Sequence, residues 1–118
     1  MASNQSNERE IKKQLAELPG RNRQCDVMLQ VGDHSFMARK DVLMLRMEYF
    51  RRIFNADMQE KDMMVIKLDP EIVDPAVFRY ILNYVYTCHI YFYAENLESI
   101  YRAADFFCFD ELKDKTEN

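Results

Sequence analysis

Glycine is the scarcest resource in this 118-residue chain: only Gly20 and Gly32 occur. A loop that cradles phosphate needs several glycines in one turn, so P-loop and dinucleotide-binding fingerprints are excluded. Proline is nearly as rare, confined to Pro19, Pro70 and Pro75, so few long loops are expected. No stretch approaches the ~18 consecutive apolar residues that a membrane-spanning helix requires. The N-terminus, MASNQSNERE, is polar and acidic, unlike a signal peptide. Positive charge is also short: 16 Lys and Arg stand against 20 Asp and Glu, a net charge of −4. The basic clusters Arg21/Arg23 and Arg51-Arg52 are both too short to neutralise a phosphate backbone. These absences argue against direct nucleic-acid contact and against a membrane location, and favour the cytosol or nucleus.

Cysteine is sparse as well. Cys25, Cys88 and Cys108 are odd in number and far apart, with no C-x-x-C pair to signal a zinc ribbon or a redox site. His34 and His89 could add ligands, but no two candidates share a chelating spacing. No metal or other cofactor is expected, and the thiols read as small buried hydrophobes.

What the chain does have is 48% hydrophobic residues at regular spacings. Residues 1–6, polar and terminal, are expected to be disordered. Asn7 and Glu10 form a capping-box pattern, after which Ile11, Leu15 and Leu18 fall on one helical face until Pro19-Gly20 stops it. The period then changes to two: Val27, Leu29 and Val31 alternate with Met28 and Gln30, and Gly32-Asp33 turns the chain into a returning strand with Phe36 inward. Two short helical segments follow. The second places Met47, Phe50, Ile53 and Phe54 on one face and Arg51-Arg52 in solvent.

Residues 55–62 read as a polar loop with one apolar member, Met58, and 63–68 as a third strand. Asp74-Pro75 is a strong helix start, with Phe78, Ile81, Leu82 and Val85 as the core stripe and Tyr80 and Tyr84 flanking it. The segment 89–93 is an aromatic strand or extended piece, expected to be internal or paired with a partner because an exposed edge of this kind invites aggregation. Asn96 is the expected cap of a helix carrying Leu97, Ile100, Tyr101, Ala104 and Phe107. Residues 113–118 are a charged tail. The order predicts an α+β fold, helix-rich with a small sheet at one end.

An enzyme is disfavoured, because no nucleophile lies at a useful spacing from a base and most carboxylates fall on polar helix faces. The first helix is too short to be stable alone, so its Ile11/Leu15/Leu18 stripe must dock on its own domain or on a second copy.

The ordered set Cys25-Asp26-Val27-Met28-Leu29-Gln30-Val31-Gly32-Asp33, Phe36-Met37-Ala38-Arg39-Lys40, Val42-Leu43, Glu48-Tyr49-Phe50 with Phe54, Phe78 to Tyr86-Thr87, and Asn96-Leu97 through Ala103-Ala104-Asp105-Phe106 resembles the BTB/POZ signature. It spans residues 7–112. The first helix and Tyr86-Thr87 are most similar to the kelch-like group. The chain departs from the pattern at Arg39, where the family usually carries histidine; this concerns local polar contacts beneath the second strand.

The resemblance implies a non-catalytic interaction module. It implies a homodimer in which residues 7–18 pack across onto the partner, with Asp26 and Lys40 at the positions of a charged interface pocket. It further implies binding of the cullin-3 N-terminal domain through Met58-Gln59-Glu60, an apolar–any–glutamate pattern after the third helix. A thioether fills a pocket adaptably, and an adjacent carboxylate sets orientation through a charge-assisted hydrogen bond. The chain would then be the BTB part of a ubiquitin-ligase substrate adaptor, with substrate capture left to another segment. The alternative within the same resemblance is the dimerisation and corepressor-recruiting domain of a transcription regulator.

Overall fold

The computed structural model describes residues 2–18, 25–54 and 63–117. The elements run in the order α1 (Ala2–Glu17), β1 (Val27–Val31), β2 (His34–Ala38), α2 (Lys40–Arg46), α3 (Glu48–Ile53), β3 (Met64–Leu68), α4 (Pro75–Thr87), α5 (Leu97–Phe106) and α6 (Asp110–Thr116). The sheet has three strands in the order β2-β1-β3. Strands β1 and β2 form the anticipated hairpin, antiparallel, with Leu29 opposite Phe36. Gly32 sits in its turn at φ 60, a left-handed conformation that glycine adopts without steric cost. Strand β3 lies parallel to β1, Leu29 opposite Ile66. A parallel neighbour needs a long crossover, and α2 and α3 are its helical part.

Burial follows the alternation read from the sequence: Val27, Leu29 and Val31 are fully buried while Met28 and Gln30 are half-exposed. On the helical side Phe50, Phe78, Ile81, Val85, Ile100, Ala104 and Phe107 close the core. A row of rings threads it. Phe36 meets Phe78 edge-on at 5.2 Å, Phe78 meets Phe107 at 5.9 Å, and Phe107 stacks on Phe50 at 6.1 Å, joining the hairpin to α4, α5 and α3. Such pairs add about 1 kcal/mol each beyond the area they bury. Helix α4 starts where expected. The Asp74 carboxylate accepts from the N–H groups of Ala76 (2.9 Å) and Val77 (3.4 Å), with Pro75 in the first turn.

Several expectations are corrected. The chain is helical from Ala2, not disordered to residue 6, because extending an existing helix is far cheaper than nucleating one. The supposed tail is helix α6, reaching Thr116 and anchored by fully buried Leu112. Residues 89–93 form no strand. Tyr91, Phe92 and Tyr93 are exposed, Tyr91 by 61%, and the Asn96 side chain accepts from the Tyr93 N–H at 2.7 Å. That bond turns the segment into a loop and uses the oxygen expected to cap α5. Leu97 lies exposed at the helix start, outside the core stripe. Leu82 is only half-buried, and Tyr84, expected beside the core, is inside it. Of the thiols only Cys88 is buried.

With so little glycine, Cys88 (φ 62) and Cys108 (φ 54) take left-handed positions at the ends of α4 and α5. For an L-residue that conformation costs roughly 1–2 kcal/mol. The return is chain reversal: the Cys88 N–H bonds to the Tyr84 carbonyl at 2.8 Å, and the Phe109 N–H to the Ala104 carbonyl at 2.8 Å.

Candidate interaction surfaces

On α1, Ile11, Leu15 and Leu18 are each half-buried, and Leu15 and Leu18 rest against the domain core. The polar side carries a Glu8–Lys12 ion pair at 3.1 Å, one turn apart. The Lys12 hydrogen bond holds the Glu8 carboxyl below the usual carboxylate range. The helix thus meets its own domain without completing the burial of its apolar stripe.

Asp26 and Lys40 are brought together at the base of the sheet. The Asp26 carboxylate accepts from the Lys40 backbone N–H at 2.7 Å, binding one of the otherwise unpartnered donors in the first turn of α2. Lys40 itself is buried. The unusual Arg39 donates from Nε and Nη2 to Asp41 at 3.0 and 2.6 Å, a bidentate pair. Its backbone N–H donates to the Tyr86 hydroxyl at 2.9 Å. Burial raises the Tyr86 pKa, so this phenol stays neutral.

Met58, Gln59 and Glu60 lie outside the described residues. Their approaches do not: α3 ends at Ile53 with Phe54 buried behind it, and β3 begins at Met64. Beside α3 lies a cleft of about 550 Å³. Glu48, Arg51 and Arg52 line one wall; Asp105, Asp110 and Glu111 of the α5–α6 corner line the other. Arg51 reaches Glu48 at 2.7 Å and the Met44 carbonyl at 3.1 Å. Glu48 is held below the usual carboxylate range, chiefly by its hydrogen bond from Arg51. The Tyr49 and Phe106 rings pack 5.4 Å apart, Phe106 remaining exposed.

One cluster escaped the sequence. Arg46, a residue that the sequence reading passed over, is buried with its side chain 2% exposed. It donates to Glu111 at 2.7 and 3.0 Å and to the Val85 carbonyl at 2.9 Å. The Tyr84 hydroxyl donates a short hydrogen bond to the same carboxylate. Burial opposes the charge on Arg46, but the hydrogen bond and charge of Glu111 outweigh it and raise the pKa. Burial, then Glu111, keeps the Tyr84 phenol un-ionised. No local spacing could have paired residues so distant in sequence; a lone arginine ending the apolar α2 stripe was the only available signal.

Among the described residues no helix is long and apolar enough to cross a membrane, and no three His, Cys, Asp or Glu side chains gather to hold a metal.

A family model described as BTB/POZ domain matches residues 15–118, and the chain belongs to that family. It is therefore a BTB domain, a protein-interaction module of a generally non-catalytic class. Kelch-like proteins are among its relatives: mouse (Mus musculus) Kelch-like protein 28 is 31% identical over 81 residues, covering 69% of this chain and 14% of that protein. The mouse Influenza virus NS1A-binding protein homolog is 34% identical over 89 residues, covering 75% and 14%. Human Zinc finger and BTB domain-containing protein 21 is 34% identical over 76 residues, covering 64% and 7%. The chain thus spans 14% or less of these three relatives. Among solved structures, the BTB domain of zebrafish PATZ1 superposes with TM-score 0.69 at 27% identity, covering 95% of this chain and 88% of that one. The BTB domain of human gigaxonin gives TM-score 0.71 with the same coverage at 22% identity, a likeness of fold.

Proposed function

We propose that this domain forms a homodimer through α1 and binds the N-terminal domain of cullin-3 through Met58-Gln59-Glu60, as the BTB part of a ubiquitin-ligase substrate adaptor. The observation that carries the reading is that apolar–any–glutamate pattern, in the sequence between α3 and β3, in a chain whose relatives include kelch-like proteins. The unfinished burial of Ile11, Leu15 and Leu18 supports a second copy as the completing surface. Asp26 and Lys40 would lie at that interface. A paired charge there serves register more than affinity, because desolvation offsets most of the attraction. The place of action is the cytoplasm or nucleus.

Isothermal titration calorimetry against the cullin-3 N-terminal domain tests the reading. Glu60→Lys is expected to weaken binding by about 2 kcal/mol or more, as for an interface hot spot; an unchanged affinity removes the cullin assignment. The relative named Zinc finger and BTB domain-containing protein 21 favours a second reading, a dimerisation domain of a transcription regulator that recruits corepressor peptides. Dimerisation retained without any cullin binding would select it.

A further inference from the structure

We propose that the groove between edge strand β2 and helix α4 is a docking site for an extended segment of another protein, one presenting an acidic side chain to Arg79 and an aliphatic side chain to the notch beyond it. Among the described residues strand β2 is the outermost strand on its side of the sheet, with no further strand paired to its outer backbone groups, the kind of edge that accepts an added strand. Beside it, Arg79, Leu82, Asn83 and Tyr86 recur at helical spacing along one flank of α4. With Phe36 and Met37 they enclose an open groove of about 290 Å³.

The two walls run side by side. Arg79 sits over the Phe36 ring, 5.5 Å from its centroid. At the other end the Tyr86 hydroxyl holds the Arg39 N–H. From Arg79 to Tyr86 the helix rises about 10 Å, and from Phe36 to Arg39 the strand advances about 10 Å. A helix flanking a sheet edge along its length is the geometry in which peptides bind by strand addition: main-chain hydrogen bonds give affinity, and pockets for alternate side chains give selectivity.

Charge decides the occupant. Arg39, Arg46, Arg51, Arg52 and Arg102 each close an ion pair with a carboxylate. Arg79, exposed at the groove, closes none among the described residues; its one partner is the Phe36 ring. A carboxylate is the complement of that guanidinium, and a bidentate contact would fix the peptide's register. Met37, 45% exposed, and half-buried Leu82 supply the apolar notch. The site shares no residue with the α1 or Met58–Glu60 surfaces, so failure of cullin-3 binding leaves it standing.

The test is selection of phage-displayed random heptapeptides on the full chain, followed by titration of the synthetic winner into ¹⁵N-labelled protein. Winners are expected to carry an acid within a residue or two of an aliphatic side chain and to shift the amides of Ser35 to Ala38. Arg79→Glu is expected to weaken binding at least about tenfold, as loss of a charge-assisted contact does, while Arg79→Lys, which keeps the charge but loses the planar fork, falls between Arg79→Glu and the unaltered chain. Both changes are at an exposed position, and an unchanged spectrum elsewhere establishes the fold. No enrichment over bare support, basic winners, shifts away from β2, or indifference to Arg79→Glu would overturn the proposal.

Discussion

Arg46 ties three helices together from a single buried position. Its guanidinium joins the end of α2 to the last-turn carbonyls of α4 and to Glu111 on α6. A buried ion pair is weak evidence of net stabilisation, yet breaking one strands its partners. Arg46→Ala would leave the Val85 carbonyl and the Glu111 carboxylate without their main donor. The expected cost is about 3 kcal/mol in urea unfolding, reduced from the worst case because Glu111 retains Tyr84 and some solvent. A loss under about 1 kcal/mol would show that water substitutes for the guanidinium. The same contacts explain why this residue was illegible: an arginine among apolar neighbours reads as solvated until a distant carboxylate is known to face it. Arg39 was legible as a departure from the family pattern, and the polar neighbourhood is satisfied differently, by Asp41.

Elements were read well where the signal was local. The hairpin follows from strict alternation around Gly32, and α4 from Asp74-Pro75, both decided within a few residues of chain. Of the two readings of the aromatic segment 89–93, strand or extended piece, the strand does not form within the chain: strand propensity measures fit to a sheet, and here Asn96 offers the backbone a turn instead. Helix α6 was read as a charged tail with at most one turn around Leu112, because a seven-residue charged segment has no helical stability of its own; Leu112 and Glu111 dock it over its full length. Helix α1 shows the opposite limit. Its stripe was plain in the sequence, but spacing cannot tell an intramolecular surface from an intermolecular one. Leu15 touches the core of its own domain while remaining half exposed. Leu15→Asp would place a charge in whichever apolar contact completes it. Light scattering is expected to show a shift from dimer towards monomer or aggregate; an unaltered mass would mean that α1 docks only internally.

For the whole molecule, fold and family were available from the sequence, and partners were available only as implications. In the core the ring row from Phe36 to Phe50 links sheet and helices. The surfaces left over are polypeptide-sized: the α1 stripe, the charged cleft beside α3, and the β2–α4 groove. On the proposed reading the domain acts by holding other chains in place, so its stoichiometry is the property to measure. The most direct measurement is multi-angle light scattering of the purified chain, alone and mixed with the cullin-3 N-terminal domain. The account predicts twice the 14.2 kDa chain mass alone, and a heavier co-eluting complex with one cullin domain for each chain. A particle that stays at the mass of one chain and elutes apart from cullin-3 would contradict it.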